Sequence, residues 1–146
     1  MSEKILVIHR EPFPKERPRG TIIAGHVNIY TPKKTVAEEK AIAEAWKKEH
    51  GLLPYEGPVS VRIVLGMAVP KSTSMKKKKD MLGRKIRPTV KPDADNCAKL
   101  ILDALNGLAY QDDNQIVDLS VRKYYTEVPK ILIKVSEWKM KENPDE

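Results

Sequence analysis

The run Lys91-Pro92-Asp93-Ala94-Asp95-Asn96, with Asp112-Asp113 further along, crowds carboxylates into one short region of an otherwise basic chain. Clustered carboxylates repel one another, so such a cluster invites a cation. Mg²⁺ takes oxygen ligands and is often held by one or two carboxylates, with water and substrate phosphate completing its shell. Asp93, Asp95, Asp112 and Asp113 could supply those ligands from two chain segments. The chemistry that follows is phosphodiester hydrolysis, in which the metal activates water and stabilises charge on the phosphorus oxygens and the leaving group. Lys99, one turn past Asp95, could neutralise part of the acidic charge or sit against a transition-state phosphate.

Each of these residues also has a plainer use. Asp93 suits a helix N-cap. Asp95 with Lys99 reads as a solvated i, i+4 pair worth roughly 0.3–0.5 kcal/mol. Asp112-Asp113-Asn114 is ordinary turn composition. Asp103 falls on the polar side of the same helix and could merely solvate it. Cys97 reads as a small packing residue. His9, His26 and His50 lack metal-ligand spacing, and the Asp-x-Asp-Asn run fails as an EF-hand loop because Ala98 stands where glycine is required.

The helix that must carry these groups opens after Pro92. Ala98, Ile101, Leu102 and Leu105 recur at i, i+3, i+4, i+7. Asp95, Lys99, Asp103 and Asn106 lie within about 80° on another side at roughly 100° per residue. Asn106-Gly107 signals its end. Elsewhere, Thr21 to Tyr30, punctuated by Gly25, reads as a strand or hairpin arm, and Lys4 to His9, Val59 to Val69, Ile116 to Thr126 and Ile131 to Trp138 read as strands. The last two are expected to form a hairpin around Val128-Pro129-Lys130. Thr35 and Glu38 suggest a capping box opening a helix to about His50, with Val36, Ala41, Ile42, Ala45 and Trp46 as its apolar stripe. Lys71 to Lys91 holds nine Lys and Arg against one Asp, a charge of +8, so the rest of the chain nets −1. It is expected to be the flexible part. The reading is α+β: a single-layer mixed sheet of about four to five strands with two main helices. One domain over 1–146 is expected, with 139–146 as a polar tail.

Composition bounds the function. The 146 residues suffice for one sizeable core, and 40% hydrophobic with 32% charged residues fits a soluble globular protein. The 27 Lys and Arg against 20 Asp and Glu give +7, which favours an anionic partner. A single Cys97 makes no internal disulfide. No apolar run approaches the ~20 residues of a membrane span, and no signal-peptide pattern is present. A cytoplasmic location without membrane contact is expected.

Lys91-Pro-Asp-Ala-Asp-Asn-Cys-Ala-Lys99, Leu102-Asp-Ala-Leu-Asn-Gly107, Tyr110-Gln-Asp-Asp113, Gln115-Ile and Val121-Arg-Lys123 resemble the RusA-type Holliday-junction resolvases. Pro14-Lys-Glu-Arg-Pro-Arg19 and Tyr30-Thr-Pro-Lys33 resemble that family's opening, so the similarity runs roughly from Ile5 to Trp138. The resemblance implies a homodimeric α+β nuclease that cuts two opposed strands of a four-way DNA junction with Mg²⁺, or Mn²⁺. It places Asp93 and Asp95 as the first two acidic residues, Asp113 as the third with Asp112 adjacent, and Lys99 as the lysine needed for activity. Arg17, Arg19, Lys33 and Lys34 match basic positions. Lys76, Lys77, Lys78, Lys79, Arg84, Lys85 and Arg87 are further candidates for DNA contact, although this segment is longer and richer in lysine than the family pattern. Phe13, between two prolines, is either an apolar wedge or a core residue.

The expected mechanism has Asp93, Asp95 and Asp113 holding Mg²⁺, a metal-bound water attacking phosphorus, and Lys99 stabilising charge. Three rivals stay open: a non-catalytic DNA-binding module with structural acids, a general Mg²⁺-dependent nuclease, and a Mg²⁺-dependent enzyme acting on a nucleotide or a sugar nucleotide. The lack of a Gly-rich phosphate loop counts against the last.

Overall fold

A computed structural model describes residues 3–140. Of the tail expected over 139–146, residues 141–146 lie outside that range. The chain runs β1 (Glu3–Ile8), β2 (Arg19–Ile23), β3 (His26–Tyr30), α1 (Lys33–His50), β4 (Val59–Ala68), α2 (Met75–Leu82), α3 (Ala94–Ala104), a 3-10 turn (Asp113–Gln115), β5 (Ile116–Thr126) and β6 (Lys130–Glu137). Four strands form one mixed sheet in the order β1-β6-β4-β5, and β2-β3 form a separate hairpin. The α+β reading therefore holds, with three α-helices rather than two.

β4 is central because it is the most apolar strand. Val59, Val61, Ile63 and Leu65 point to the helices and are buried, as alternation on a half-covered sheet requires. β6 adds Ile131, Ile133 and Val135; α3 adds Cys97, Leu100 and Ile101; α1 adds Ile42 and Trp46. The helix stripes differ from the periodic reading at particular positions. Val36 is exposed, whereas Thr35 is buried inside the first turn of α1. The Thr35–Glu38 capping box does not form. The N-cap is Pro32, Thr35 Oγ1 accepts the Glu16 N–H at 3.4 Å, and Glu38 pairs with Arg10 at 2.8 Å.

β5 and β6 do not form the expected hairpin. β5 pairs parallel with β4, and β6 pairs antiparallel with β4 on its other side. The connection passes over the end of β4 at Gly66. A Cβ there would lie 2.9 Å from both Thr126 Oγ1 and Lys130 Cγ. The crossing thus needs a residue without a side chain. The segment read as flexible also contains α2. Ser74 caps that helix by accepting the Lys77 N–H, and Met81 inserts into the protein. Lys85 and Ile86 N–H groups both bond the Asp80 carbonyl, which turns the chain back.

Candidate functional site

The acidic edge is built at the N-terminus of α3. Asp93 is the N-cap residue with extended backbone, as the sequence indicates, but its carboxylate makes no capping hydrogen bond. Asn96 Nδ2 donates to Asp93 Oδ2 at 3.3 Å instead. Asp95 sits in the first helical turn, where the helix dipole favours a negative charge. Both carboxylates are exposed. They act on buried Cys97, whose thiol is pushed up to about 11 by burial first; Lys123 opposes this, and Asp93 and Asp95 add to it. Cys97 is a packing residue.

Asp112 and Asp113 hold the other side. Asp112 caps the 3-10 turn and accepts the Asp113 N–H at 3.0 Å. Gln115 completes a capping box by accepting the Gln111 and Asp112 N–H groups at 2.7 and 3.0 Å. Its amide donates to Tyr55 and Gly57 carbonyls, both at 2.9 Å, which pins the turn to the body of the protein. Buried Tyr110 anchors the same turn by donating to the Leu102 carbonyl at 2.6 Å. Burial raises its phenol, and Asp113, Asp103 and Asp112 raise it further.

The carboxylates thus form two groups, one around Cys97 and one around Tyr110. Among the described residues, no three acidic, His or Cys side chains stand close enough to share one metal ion. Asp93, Asp95 and Asp113 are therefore not gathered into a closed ligand set. The donor chemistry nonetheless fits Mg²⁺: every candidate offers oxygen, Asp93, Asp95 and Asp112 are exposed, and Asp113 is half-exposed. Among the described residues, none of the four takes part in a salt bridge.

Lys99 has a different partner from the one its spacing suggests. It pairs with Asp103 at 3.2 Å, one turn on, and not with Asp95. Asp103 also binds Lys15 at 3.1 Å, and Lys15 reaches Glu39 at 2.7 Å. Burial works against the charge on Lys15, but its bonds to Glu39 and Asp103 outweigh it and hold the ammonium above its ordinary value. The Lys15 N–H donates to the Asn96 carbonyl at 2.9 Å, so this loop is tied to the start of α3. A cleft of about 410 Å³ lies here, lined by Pro12, Pro14, Lys15, Lys91, Pro92, Asp93 and Asn96.

The basic candidates fall on two sides of this edge. Arg17 is exposed, Arg19 opens β2 within 3.4 Å of Glu16, and Lys33 and Lys34 open α1. Lys34 lies over the Phe13 ring at 4.9 Å, and Phe13 packs against the core. On the other side, Lys76, Lys77 and Lys79 are exposed on α2 while Lys78 is half-buried, and Lys85 follows in the turn. Arg84 and Arg87 lie over the Tyr124 ring at 4.1 and 4.0 Å. Asn96, Lys15, Gln115 and Lys123 lie within the quoted motifs but received no role from the sequence. Lys123 donates to the Val90 carbonyl at 2.7 Å and so fixes the loop carrying Asp93. Only its place in the Val-Arg-Lys run signalled it.

Two comparisons bear on this arrangement. The chain is 39% identical over 132 residues to a Bacillus subtilis (strain 168) protein described as uncharacterized protein YqaN, covering 89% of this chain and 93% of that one. Among the described residues, no helix is long and apolar enough to cross a membrane. Residues 10–136 match the family described as Endodeoxyribonuclease RusA, and that span includes both carboxylate groups and both basic flanks, so the chain belongs to the RusA endodeoxyribonuclease family.

Proposed function

We propose that this protein is a Mg²⁺-dependent, structure-selective endonuclease that resolves four-way DNA junctions by paired nicks in recombination and repair. The observation carrying this reading is the set of unpaired aspartates at the start of α3 and in the 3-10 turn, flanked by exposed cations in a chain of net charge +7. Family membership supplies the deoxyribonuclease chemistry. Asp93, Asp95 and Asp113, which do not converge as they stand, would hold the cation only by drawing together around it, with Asp112 beside them. A cation held by two chain segments needs further oxygens, and the scissile phosphate and water supply them. When bound, Mg²⁺ would acidify a water and offset charge on the phosphorus oxygens; Mn²⁺ would serve similarly.

The chain's own groups do the remaining work. Asn96 orients the Asp93 carboxylate, and Gln115 and Tyr110 hold the turn bearing Asp113. Lys99 is exposed and shares Asp103 with Lys15, so it can turn to a phosphate without leaving the half-buried Asp103 carboxylate unpaired. Arg17, Arg19, Lys33, Lys34 and the α2 lysines would neutralise phosphates of the arms, a contact that reads little sequence and weakens with salt.

Paired cuts call for two such sites, and a two-fold dimer matches a two-fold junction. The β2-β3 hairpin offers the surface for it. Its register places Gly20, Ile22, Val27 and Ile29 on one face, and the three larger side chains are 74, 69 and 76% exposed. A two-stranded hairpin is marginal in water by itself, so a second copy covering this aliphatic face would stabilise it.

The reading is tested by incubating a four-way junction and a linear duplex of the same sequence with the purified protein, with Mg²⁺ and with EDTA. Symmetrical nicks in the junction alone, and only with Mg²⁺, are expected. Equal digestion of both substrates would reduce the protein to a general nuclease, and binding without cutting to a DNA-binding module.

A further inference from the structure

The second concentration of charge lies on the sheet face turned away from α1 and α3. While Val61, Ile63 and Leu65 point inward, Arg62 and Val64 of β4 point outward. The register sets Arg62 beside Ser120, Val64 beside Arg122 and Leu132, and Gly66 beside Tyr124 and Lys130. A concavity of about 410 Å³ forms there, and its charged lining is Arg62, Arg84, Arg122 and Lys130 against Glu127 alone. Among the described residues, none of those four cations takes part in a salt bridge. Holding like charges together costs folding free energy, and a polyanion relieves it.

The guanidiniums are also pre-positioned. Arg84 and Arg87 both stack on Tyr124. Burial works against ionisation of the Tyr124 phenol, but its hydrogen bond to Arg122 and the charges of Arg122, Arg87 and Arg84 outweigh that and lower it. Arg87 Nε donates to the Lys123 carbonyl on edge strand β5 at 2.8 Å, and Lys123 reaches the carbonyl of Val90, three residues before Asp93. These two bonds tie the loop leading to Asp93 to β5 and to Arg87.

We propose that this outer face, centred on Arg62, Arg84, Arg122 and Lys130, binds the sugar-phosphate backbone of a DNA arm away from the strand being cut. The inference rests on the nuclease reading and adds a second contact surface to it. The sheet separates this face from α3, so a phosphate held here is not the scissile one. Guanidiniums suit phosphate because their donors pair with two oxygens at once. A second copy of the chain fits the face poorly, since a two-fold contact would set the same cations against each other.

The test is anisotropy of a labelled four-way junction in EDTA across a salt series, for the parent, Arg62→Ala/Arg122→Ala and Arg62→Lys/Arg122→Lys. The alanine variant should bind more weakly, with a log–log salt slope shallower by about 2, one counterion for each lost phosphate contact. The lysine variant should keep most of the slope, because charge is retained. An alanine variant matching the parent in affinity and slope would overturn the proposal. So would a lysine variant as impaired as the alanine one, or a fall in sedimenting mass in the alanine variant, which would mark the face as a self-contact. A parent that binds no DNA would overturn the nuclease reading as well, so the two failures are distinguishable.

Discussion

Lys15 shows how much one side chain can organise. Its ammonium joins Glu39 of α1 to Asp103 of α3, and its backbone N–H holds the first turn of α3. All three side chains of this network are mostly buried. Lys15→Met should therefore cost about 1–3 kcal/mol in denaturant unfolding, since it strands Glu39 and leaves Asp103 with Lys99 alone. Because the folded Lys15 is raised, its contribution is fully present below about pH 10.5 and fades as pH rises through the folded value. The parent should thus lose stability in strong alkali more steeply than Lys15→Met. Equal stability of the two proteins at neutral pH would contradict the network's role. Sequence spacing found Asp93 and its helix start because capping is a local property. It offered Asp95 as a partner for Lys99 and left out Asp103, because a residue on a helix has neighbours on both sides and only tertiary contacts choose. Here Lys15, distant in the chain, fixes Asp103 as the shared partner.

At the scale of elements, Gly66 carries the topology. Gly66→Ala should destabilise by about 1–3 kcal/mol, because the clash is with β-branched Thr126 and the stem of Lys130 where the β5-β6 connection crosses. Gly57→Ala, with open space around the new methyl, should stay within about 0.5 kcal/mol. Similar losses in the two variants would contradict this account. The Thr21–Tyr30 run punctuated by Gly25 belongs to two strands, β2 and β3, of one hairpin, whereas the other four strands were legible within a residue or two. Their order was not. Two strands joined by a short turn suggest a hairpin, and nothing local shows that β4 intervenes between β5 and β6. α2 stayed hidden because four consecutive lysines resemble solvated loop, and its only buried residue is Met81. Ser74 was the available signal.

For the whole molecule, charge and apolar surface are separated. The acidic edge and the outer sheet face both lie among cations, whereas the hairpin presents aliphatic side chains. On the proposed dimer, Ile22→Asp/Ile29→Asp should reduce the sedimenting mass to that of a single chain while keeping the far-UV circular dichroism of the helices and the four-stranded sheet. An unaltered mass would remove the hairpin from the interface. Net charge was fully legible in the composition. The separation of the carboxylates into groups around Cys97 and Tyr110 was not, because it depends on where the turn at Asp112 docks.

The central claim is that carboxylates from both segments serve one divalent ion. Single-turnover cleavage of a four-way junction in Mg²⁺, alongside junction binding in EDTA, tests it for Asp93→Asn, Asp95→Asn and Asp113→Asn. Each variant should lose cleavage by roughly 100-fold or more, while binding holds or tightens as repulsion falls. Asp113→Asn cutting at the parental rate would contradict the claim.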